Sequence, residues 1–252
     1  MATVSLIIPV YNEASHLEEF LQIIDRLSFS ISKELVIIDD CSADNSAAII
    51  KKFPFQSKVV FLKQPFNLGK GSAIRTGIIK ASGDFIAIQD ADLEYDTADL
   101  PRLLQPLIEG KADVVYGSRF RKDSNQVHRT FHYLVNRSLT LLSNVLSGLY
   151  FSDMETCYKV FRSDIIKNIV LESDRFGFEP EITAKIARLK IRVLEMPISY
   201  FPRAYLEGKK ITWKDGLAAL WQILYYNAIK SGKGCYCTTL PSKYIPSGRQ
   251  WF

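Results

Sequence analysis

The 252-residue sequence predicts an α/β fold, a mostly parallel sheet sandwiched by helices, and two patterns carry that expectation. Short runs of β-branched and apolar residues alternate with stretches whose apolar residues recur at helical spacing. Such alternation requires crossover connections that cover both faces of a parallel sheet. Several runs also end in residues with chemistry to offer, at the sheet edge where ligands of such folds bind.

In order, Val4-Ser5-Leu6-Ile7-Ile8-Pro9-Val10 reads as a buried strand stopped by Pro9, since proline donates nothing to a ladder. A helix is expected over about 13–27, with Leu17, Phe20, Leu21 and Ile24 on one face. Leu35-Val36-Ile37-Ile38 is the second strand and ends in Asp39-Asp40; Ser42 or Asp44 then caps a helix near 44–52. Val59-Val60-Phe61-Leu62 is the third strand, followed by a helix from Gly69 to Ala81. Phe85-Ile86-Ala87-Ile88-Gln89 delivers Asp90-Ala91-Asp92, and a helix near 97–109 precedes the strand Ala112-Asp113-Val114-Val115-Tyr116, which ends at Gly117-Ser118-Arg119.

Beyond residue 120 the pattern is less regular. Residues 131–151 give a long apolar helix, Tyr158-Lys159-Val160-Phe161 a short strand, and Pro180 sits in the first turn of a helix to about 189. Glu179 and Glu181 flank that proline and suit a helix N-terminus. Arg192-Val193-Leu194-Glu195-Met196 is a further strand, and 212–230 an amphipathic helix rich in Leu, Trp and Tyr. No repeat or linker divides the chain, so one domain is expected over 1–230, with an irregular tail over 231–252.

Composition narrows the function. No apolar run approaches the roughly 20 residues that span a bilayer, and Met1-Ala2-Thr3 leads straight into a strand, so a cytoplasmic location is expected. Cys41, Cys157, Cys235 and Cys237 are too scattered for a disulfide framework. Residues 1–100 hold 9 Lys/Arg against 14 Asp/Glu, a net −5, which leaves the remainder of the chain at +10. A basic half suits an anionic acceptor or membrane face; with no binding module in sight, nucleic acid is not expected.

The strand-end acids set the chemistry. In an extended chain Asp90 and Asp92 face one way and Ala91 the other, and two adjacent carboxylates call for a proton or a hard cation between them. Asn67-Leu68-Gly69-Lys70-Gly71-Ser72 lacks the first glycine of a Walker loop, and Ile74 stands where a dinucleotide fingerprint needs its third glycine.

Pro9-Val10-Tyr11-Asn12-Glu13, Asp39-Asp40-Cys41-Ser42-Ala43-Asp44, Asn67 to Arg75, Asp90-Ala91-Asp92 and Gly117-Ser118-Arg119, in that order, resemble glycosyltransferase family 2, inverting enzymes with the A-type nucleotide-sugar fold. The likeness continues through Asp153 to Phe161, Phe178-Glu179-Pro180-Glu181, Glu195 to Tyr200 and Arg203 with Gly208-Lys209-Lys210, and is greatest to dolichyl- or polyprenyl-phosphate sugar synthases.

The resemblance implies a donor-binding half over 1–120 and an acceptor half over 121–230. Pro9, Tyr11 and Glu13 would line the base and ribose pocket, Asp39 or Asp40 would accept hydrogen bonds from the base, and Lys70 and Arg75 would approach the nucleotide. Asp90 and Asp92, with Glu94 as a third contact, would bind Mg or Mn bridging the diphosphate. Arg119, and Arg203 with Lys209 and Lys210, would neutralise the leaving diphosphate. Asp153 would serve as general base toward a hydroxyl acceptor, so that the catalytic set is Asp92, Arg119 and Asp153.

The implied reaction moves a hexose from a UDP- or GDP-sugar to a polyprenyl or dolichyl phosphate, through peripheral membrane contact by residues 139–151 or 216–229. Two alternatives stand: transfer to a hydroxyl of a glycan or glycolipid, or nucleotide-sugar binding without catalysis. Lipid-phosphate synthases of this kind carry an Arg and a Ser four residues apart to grip the acceptor phosphate; here His132 and Asn136 stand there, with Arg129 and Arg137 close by.

Overall fold

Seven strands form one sheet in a computed structural model that describes residues 2–121, 130–202, 213–230 and 232–248. They are β1 (Thr3–Val10), β2 (Ser32–Asp39), β3 (Lys58–Lys63), β4 (Phe85–Ile88), β5 (Val114–Ser118), β6 (Lys159–Arg162) and β7 (Val193–Pro197), in the order β3-β2-β1-β4-β6-β5-β7. Among them only β6 runs antiparallel, paired with β4 on one side and β5 on the other. Both halves of the chain therefore share one sheet.

The helices are α1 (Leu17–Arg26), α2 (Ser46–Lys52), α3 (Lys70–Lys80), α4 (Asp99–Ile108), α5 (Thr130–Ser147), α6 (Ser163–Ile166), α7 (Phe178–Ile186) and α8 (Trp213–Leu224), the last running into a π-helical turn, Tyr225–Ile229. Leu17, Phe20, Leu21 and Ile24 of α1 are fully buried, as their spacing predicts.

Pro9 does not stop its strand, contrary to the sequence reading. In β1 the Ile7 carbonyl accepts from Gln89 on the β4 side, whereas Val10 turns toward Asp40 on the β2 side. Pro9 shares the parity of Ile7, and β4 has already ended at Ile88 where its missing N–H would have donated. α1 begins at Leu17 rather than near 13, because the Glu13 carbonyl closes a separate turn on His16 and Leu17. α7 starts two residues before Pro180, which takes a first-turn position where no intrahelical N–H is needed.

The segment 232–248 is irregular apart from a single 3₁₀ turn, Ser242–Tyr244, but it is anchored. Cys235, Tyr236, Leu240 and Tyr244 lie in the main core, and the Tyr236 hydroxyl donates to the Lys185 carbonyl at 2.7 Å.

Candidate functional site

The carboxyl ends of β1, β2, β4, β5 and β7, with the amino end of β6, form one edge of the sheet. Tyr11, Asp39, Asp40, Asp90, Asp92, Glu94 and Arg119 all belong to it. Ala91 is buried while Asp90 and Asp92 stay half-open, as alternation predicts. The turn is fixed from behind: buried Gln89 donates to the Asp90 carbonyl at 2.7 Å and accepts from Tyr158 at 2.6 Å, and Leu93 takes the left-handed conformation, φ 59°. Asp92 Oδ1 accepts the Glu94 amide at 3.2 Å, and Glu94 Oε2 accepts the Tyr200 hydroxyl at 2.6 Å.

The two acids after β2 differ. Asp40 is saturated, accepting from Gln64 Nε2 (2.8 Å), Asn67 Nδ2 (3.1 Å) and the amides of Leu68 (2.9 Å) and Gly69 (2.7 Å). It shapes the turn into α3, and burial raises its pKa despite the Leu68 and Gly69 amides. Asp39 caps Ser42 through Oδ1, whereas its Oδ2 is buried without a hydrogen-bond partner, Lys63 standing 3.6 Å away. Neither expected residue is the cap of α2, which is Asn45: Asp44, one residue before it, accepts the Ser46 amide, and Ser42 accepts the Asn12 amide. Glu13 is buried, its amide on Ser46 Oγ; Pro9 lies half-buried in β1, and Tyr11 is exposed.

Lys70 opens α3 but does not lie on a solvated face. Its ammonium sits between Asp90 Oδ2 (2.9 Å) and Glu179 Oε1 (3.2 Å). Burial disfavours the charge, but the Asp90 and Glu179 carboxylates outweigh it and hold the pKa well above the usual lysine value. The start of α3 is closed by other chain. The amides of Gly71 and Ser72 donate to Arg175 and Asp174, and a Cβ on Gly71 would lie 2.3 Å from the Ser173 carbonyl. Gly69 has φ 100°, and a Cβ there would meet the Asp174 carbonyl at 2.5 Å. The two glycines thus admit the 173–175 backbone. Arg75 faces the same segment, its Nη2 2.6 Å from Asp174.

Arg119 is buried and held by Asp153 in a fork, Nε to Oδ2 at 2.7 Å and Nη2 to Oδ1 at 2.8 Å, while its amide also donates to Oδ2 at 3.0 Å. Its guanidinium lies 5.2 Å from the Tyr200 ring centroid. Asp153, at 0% exposure, is given over to Arg119. Glu195, whose pKa burial raises, grips the Ser152 and Asp153 amides at 2.8 and 3.0 Å.

The sequence reading missed three members of the site. Glu179 is a partner of Lys70, beyond any role at a helix start; Glu155 and Lys159 stand beside Arg119 and Asp153. Burial, then the Glu179 charge, pushes the Glu155 carboxyl up to about 8 against the pull of Lys159 and Arg119. Only Glu155 carries a signal of this kind, a charged residue inside an otherwise uncharged run, Met154-Glu155-Thr156-Cys157-Tyr158. Arg203, Lys209, Lys210 and Arg129 lie outside the described residues, as does the His132 side chain. Asn136 is half-buried in α5, and Arg137 donates to the Ser152 carbonyl at 3.0 Å.

Among the described residues no three His, Cys, Asp or Glu side chains converge as a ready metal cage. Asp90 and Asp92 are hard oxygen donors of the kind that hold Mg²⁺ or Mn²⁺ when phosphate oxygens complete the shell, so the donor set fits a shared ion rather than a closed one.

The sequence profile of Glycosyl transferase family 2 matches residues 5–170. A dolichyl-phosphate beta-glucosyltransferase of Trichomonas vaginalis is 29% identical over 225 residues, 82% of this chain and 68% of its own. An undecaprenyl-phosphate 4-deoxy-4-formamido-L-arabinose transferase of Edwardsiella ictaluri is 31% identical over 226 residues, 88% of this chain and 66% of its own. The chain spans about two thirds of the length of these relatives. The crystal structure of glucosyl-3-phosphoglycerate synthase from Mycobacterium tuberculosis with Mn²⁺, UDP and glucosyl-3-phosphoglycerate superposes with TM-score 0.69 at 17% identity, covering 91% of this chain and 81% of that one. The fold is that of these A-type glycosyltransferases.

Proposed function

The chain belongs to glycosyl transferase family 2, and on that premise we propose that it is an inverting glycosyltransferase moving a hexose from a nucleoside-diphosphate sugar to a polyprenyl or dolichyl phosphate. The observation that carries this reading is the pair Asp90 and Asp92 at the end of β4, with the cations Lys70 and Arg119 at the same edge. Residues 1–120 bind the donor and 121–230 the acceptor.

Pro9, Tyr11 and Glu13 line the base and ribose pocket. Asp39, whose buried Oδ2 has no hydrogen-bond partner and only Lys63 at 3.6 Å, accepts from the base, while Asp40 shapes the neighbouring turn. Asp90 and Asp92 hold a divalent ion, Mg or Mn, together with the donor's diphosphate; the glucosyl-3-phosphoglycerate synthase carries Mn²⁺ and UDP. Such an ion would stabilise the charge that grows on the departing diphosphate. Arg119, preorganised by Asp153 and Tyr200, faces the same charge. Glu94 is oriented by Tyr200 toward the same turn.

The state of Asp153 supports a phosphate acceptor. A hydroxyl needs a base within reach, and both Asp153 oxygens are occupied by Arg119. A lipid phosphate is already anionic and needs no base, and a dolichyl-phosphate and an undecaprenyl-phosphate transferase are among the relatives. No described helix is long and apolar enough to cross a membrane. Exposed apolar residues of α5 and α8, among them Leu141, Val145, Leu217 and Trp221, are the surface we assign to contact with the lipid.

The test is transfer of a labelled hexose from UDP- or GDP-sugar, with and without Mn²⁺, into an organic-extractable product. An acid-labile lipid product supports the reading. An acid-stable product means a hydroxyl acceptor, and donor binding without transfer means a silent binding protein. Thermal stabilisation ranks the nucleotides, since a ligand at 100 times its Kd adds about 2.7 kcal/mol.

A further inference from the structure

The loop between α5 and β6 is tied down almost atom by atom. Its Ser152 and Asp153 amides go to Glu195, its Met154 amide to Thr140 Oγ1 and its Cys157 amide to the Tyr95 hydroxyl. Its Met154 and Thr156 carbonyls both accept from the buried Lys159 ammonium, and the Asp153 carboxylate holds Arg119. Two side-chain atoms on neighbouring residues are left over: Glu155 Oε1 and Thr156 Oγ1 are buried with no hydrogen-bond partner. Native proteins leave few such atoms. Thr156 is closed off at 0% exposure, whereas Glu155 is only half-buried, and the chain supplies its Oε1 with no partner.

The surrounding charges decide which ligand. Glu155 is faced by Glu179 of α7, Lys159 of β6, Arg119 at the end of β5 and Asp153 of its own loop. The cations are already engaged: Arg119 by Asp153, and Lys159 by the loop carbonyls and the Tyr116 ring, 4.6 Å from its Nζ. Glu179 is paired to Lys70. A carboxyl left without a cation of its own, next to another acid, keeps its proton at neutral pH. It then both donates and accepts, which matches a hydroxyl. A phosphate oxygen would meet the Glu179 charge.

Resting on the transferase reading above, we propose that Glu155 is a specificity residue that hydrogen-bonds, as donor, to a hydroxyl of the sugar being transferred.

The experiment uses the full chain, UDP-glucose and its singly deoxygenated analogues, undecaprenyl phosphate as acceptor, and the variants Glu155→Ala and Glu155→Gln. Glu155→Ala should raise KM for UDP-glucose at least tenfold and leave the Kd of UDP unchanged, and one deoxy analogue should show no further loss in this variant. Glu155→Gln, which keeps a neutral donor, should stay within about threefold of wild type at pH 7, and should lack the fall in kcat/KM that wild type is expected to show above about pH 8. Calorimetry reads UDP-glucose against UDP without any transfer, so wild type that binds UDP-glucose but transfers nothing defeats the transferase reading while the contact is still tested. An Ala variant with wild-type KM and pH profile, or equal losses for UDP and every analogue, overturns the proposal. So does a collapse of kcat in Glu155→Gln with KM unchanged, which would mark a general base instead.

Discussion

Lys70 and Glu179 come from opposite halves of the chain, and their Nζ and Oε1 lie 3.2 Å apart, with Asp90 on the other side of the same ammonium at 2.9 Å. One cation thus bridges two acids, against a net charge of −1, and ties α3 to α7. Lys70→Met should therefore act in two directions. With the ammonium gone, Asp90 is freed for a divalent ion, and Mn²⁺ titrated without nucleotide should bind at least threefold tighter. Two acids left without their cation should cost on the order of 2 kcal/mol of stability in denaturant unfolding. Unchanged or weaker Mn²⁺ binding would show that Lys70 does not compete with the ion.

Asp92 takes no part in the core. Its carboxylate lies half-open and accepts the Glu94 amide within its own turn. Asp92→Ala should reduce sugar transfer at least 100-fold, the scale of a lost charge-stabilising group, while its Tm stays within about 2 °C of wild type. Full turnover in this variant with Mn²⁺ present would remove the proposed reaction.

Glu34 gives a pH prediction away from the site. Its fully buried carboxylate accepts from Ser5 Oγ (2.6 Å), Ser82 Oγ (2.7 Å) and Lys58 (2.8 Å), tying β2 to β1, β3 and the residues before β4. Burial alone would raise its pKa, but these partners together pull it down to about 2. A depressed carboxylate adds stability that is complete above its unfolded value, near 4.5, and is lost as pH falls toward 2. Glu34→Gln should be less stable than wild type at pH 7, and the gap should close between pH 4.5 and 2. A gap of constant size across that range would contradict the assignment.

The sheet edge is readable from sequence because it depends on local facts: a run of β-branched residues makes a strand, and the acid after it must lie at the strand's end. Asp90, Asp92 and Arg119 are found that way. Partnerships across the chain are not written in any such period. That Arg119 takes both oxygens of Asp153, or Lys70 reaches Glu179, depends on β6 entering antiparallel between β4 and β5 and bringing the 152–158 loop to the edge. Pro9 misled for the same reason: whether a proline ends a strand turns on what its neighbour does at that height.

Helices α5 and α8 pack on each other, bury one side and leave the other apolar. Thr140 and Ser143 of α5 and Ala219 and Ile223 of α8 face inward; Leu134, Leu141 and Val145, with Leu217 and Trp221, face out, Val145 at 71% and Trp221 at 56% exposure. Scattered exposed apolar residues are ordinary, but two adjacent helices sharing an apolar outer side form a patch of the kind that meets a membrane. The half of the chain carrying them is the basic one, which adds attraction to anionic lipid. Trp221→Ser with Leu217→Ser removes two side chains that would each gain about 1.5–3 kcal/mol on full burial. The double variant should lose at least tenfold in co-sedimentation with vesicles containing phosphatidylglycerol, and should keep its transfer rate toward a short-chain, water-soluble polyprenyl phosphate. Because both residues are exposed, their loss should leave the Tm unchanged or higher. Equal vesicle binding by variant and wild type would mean that the patch serves another partner.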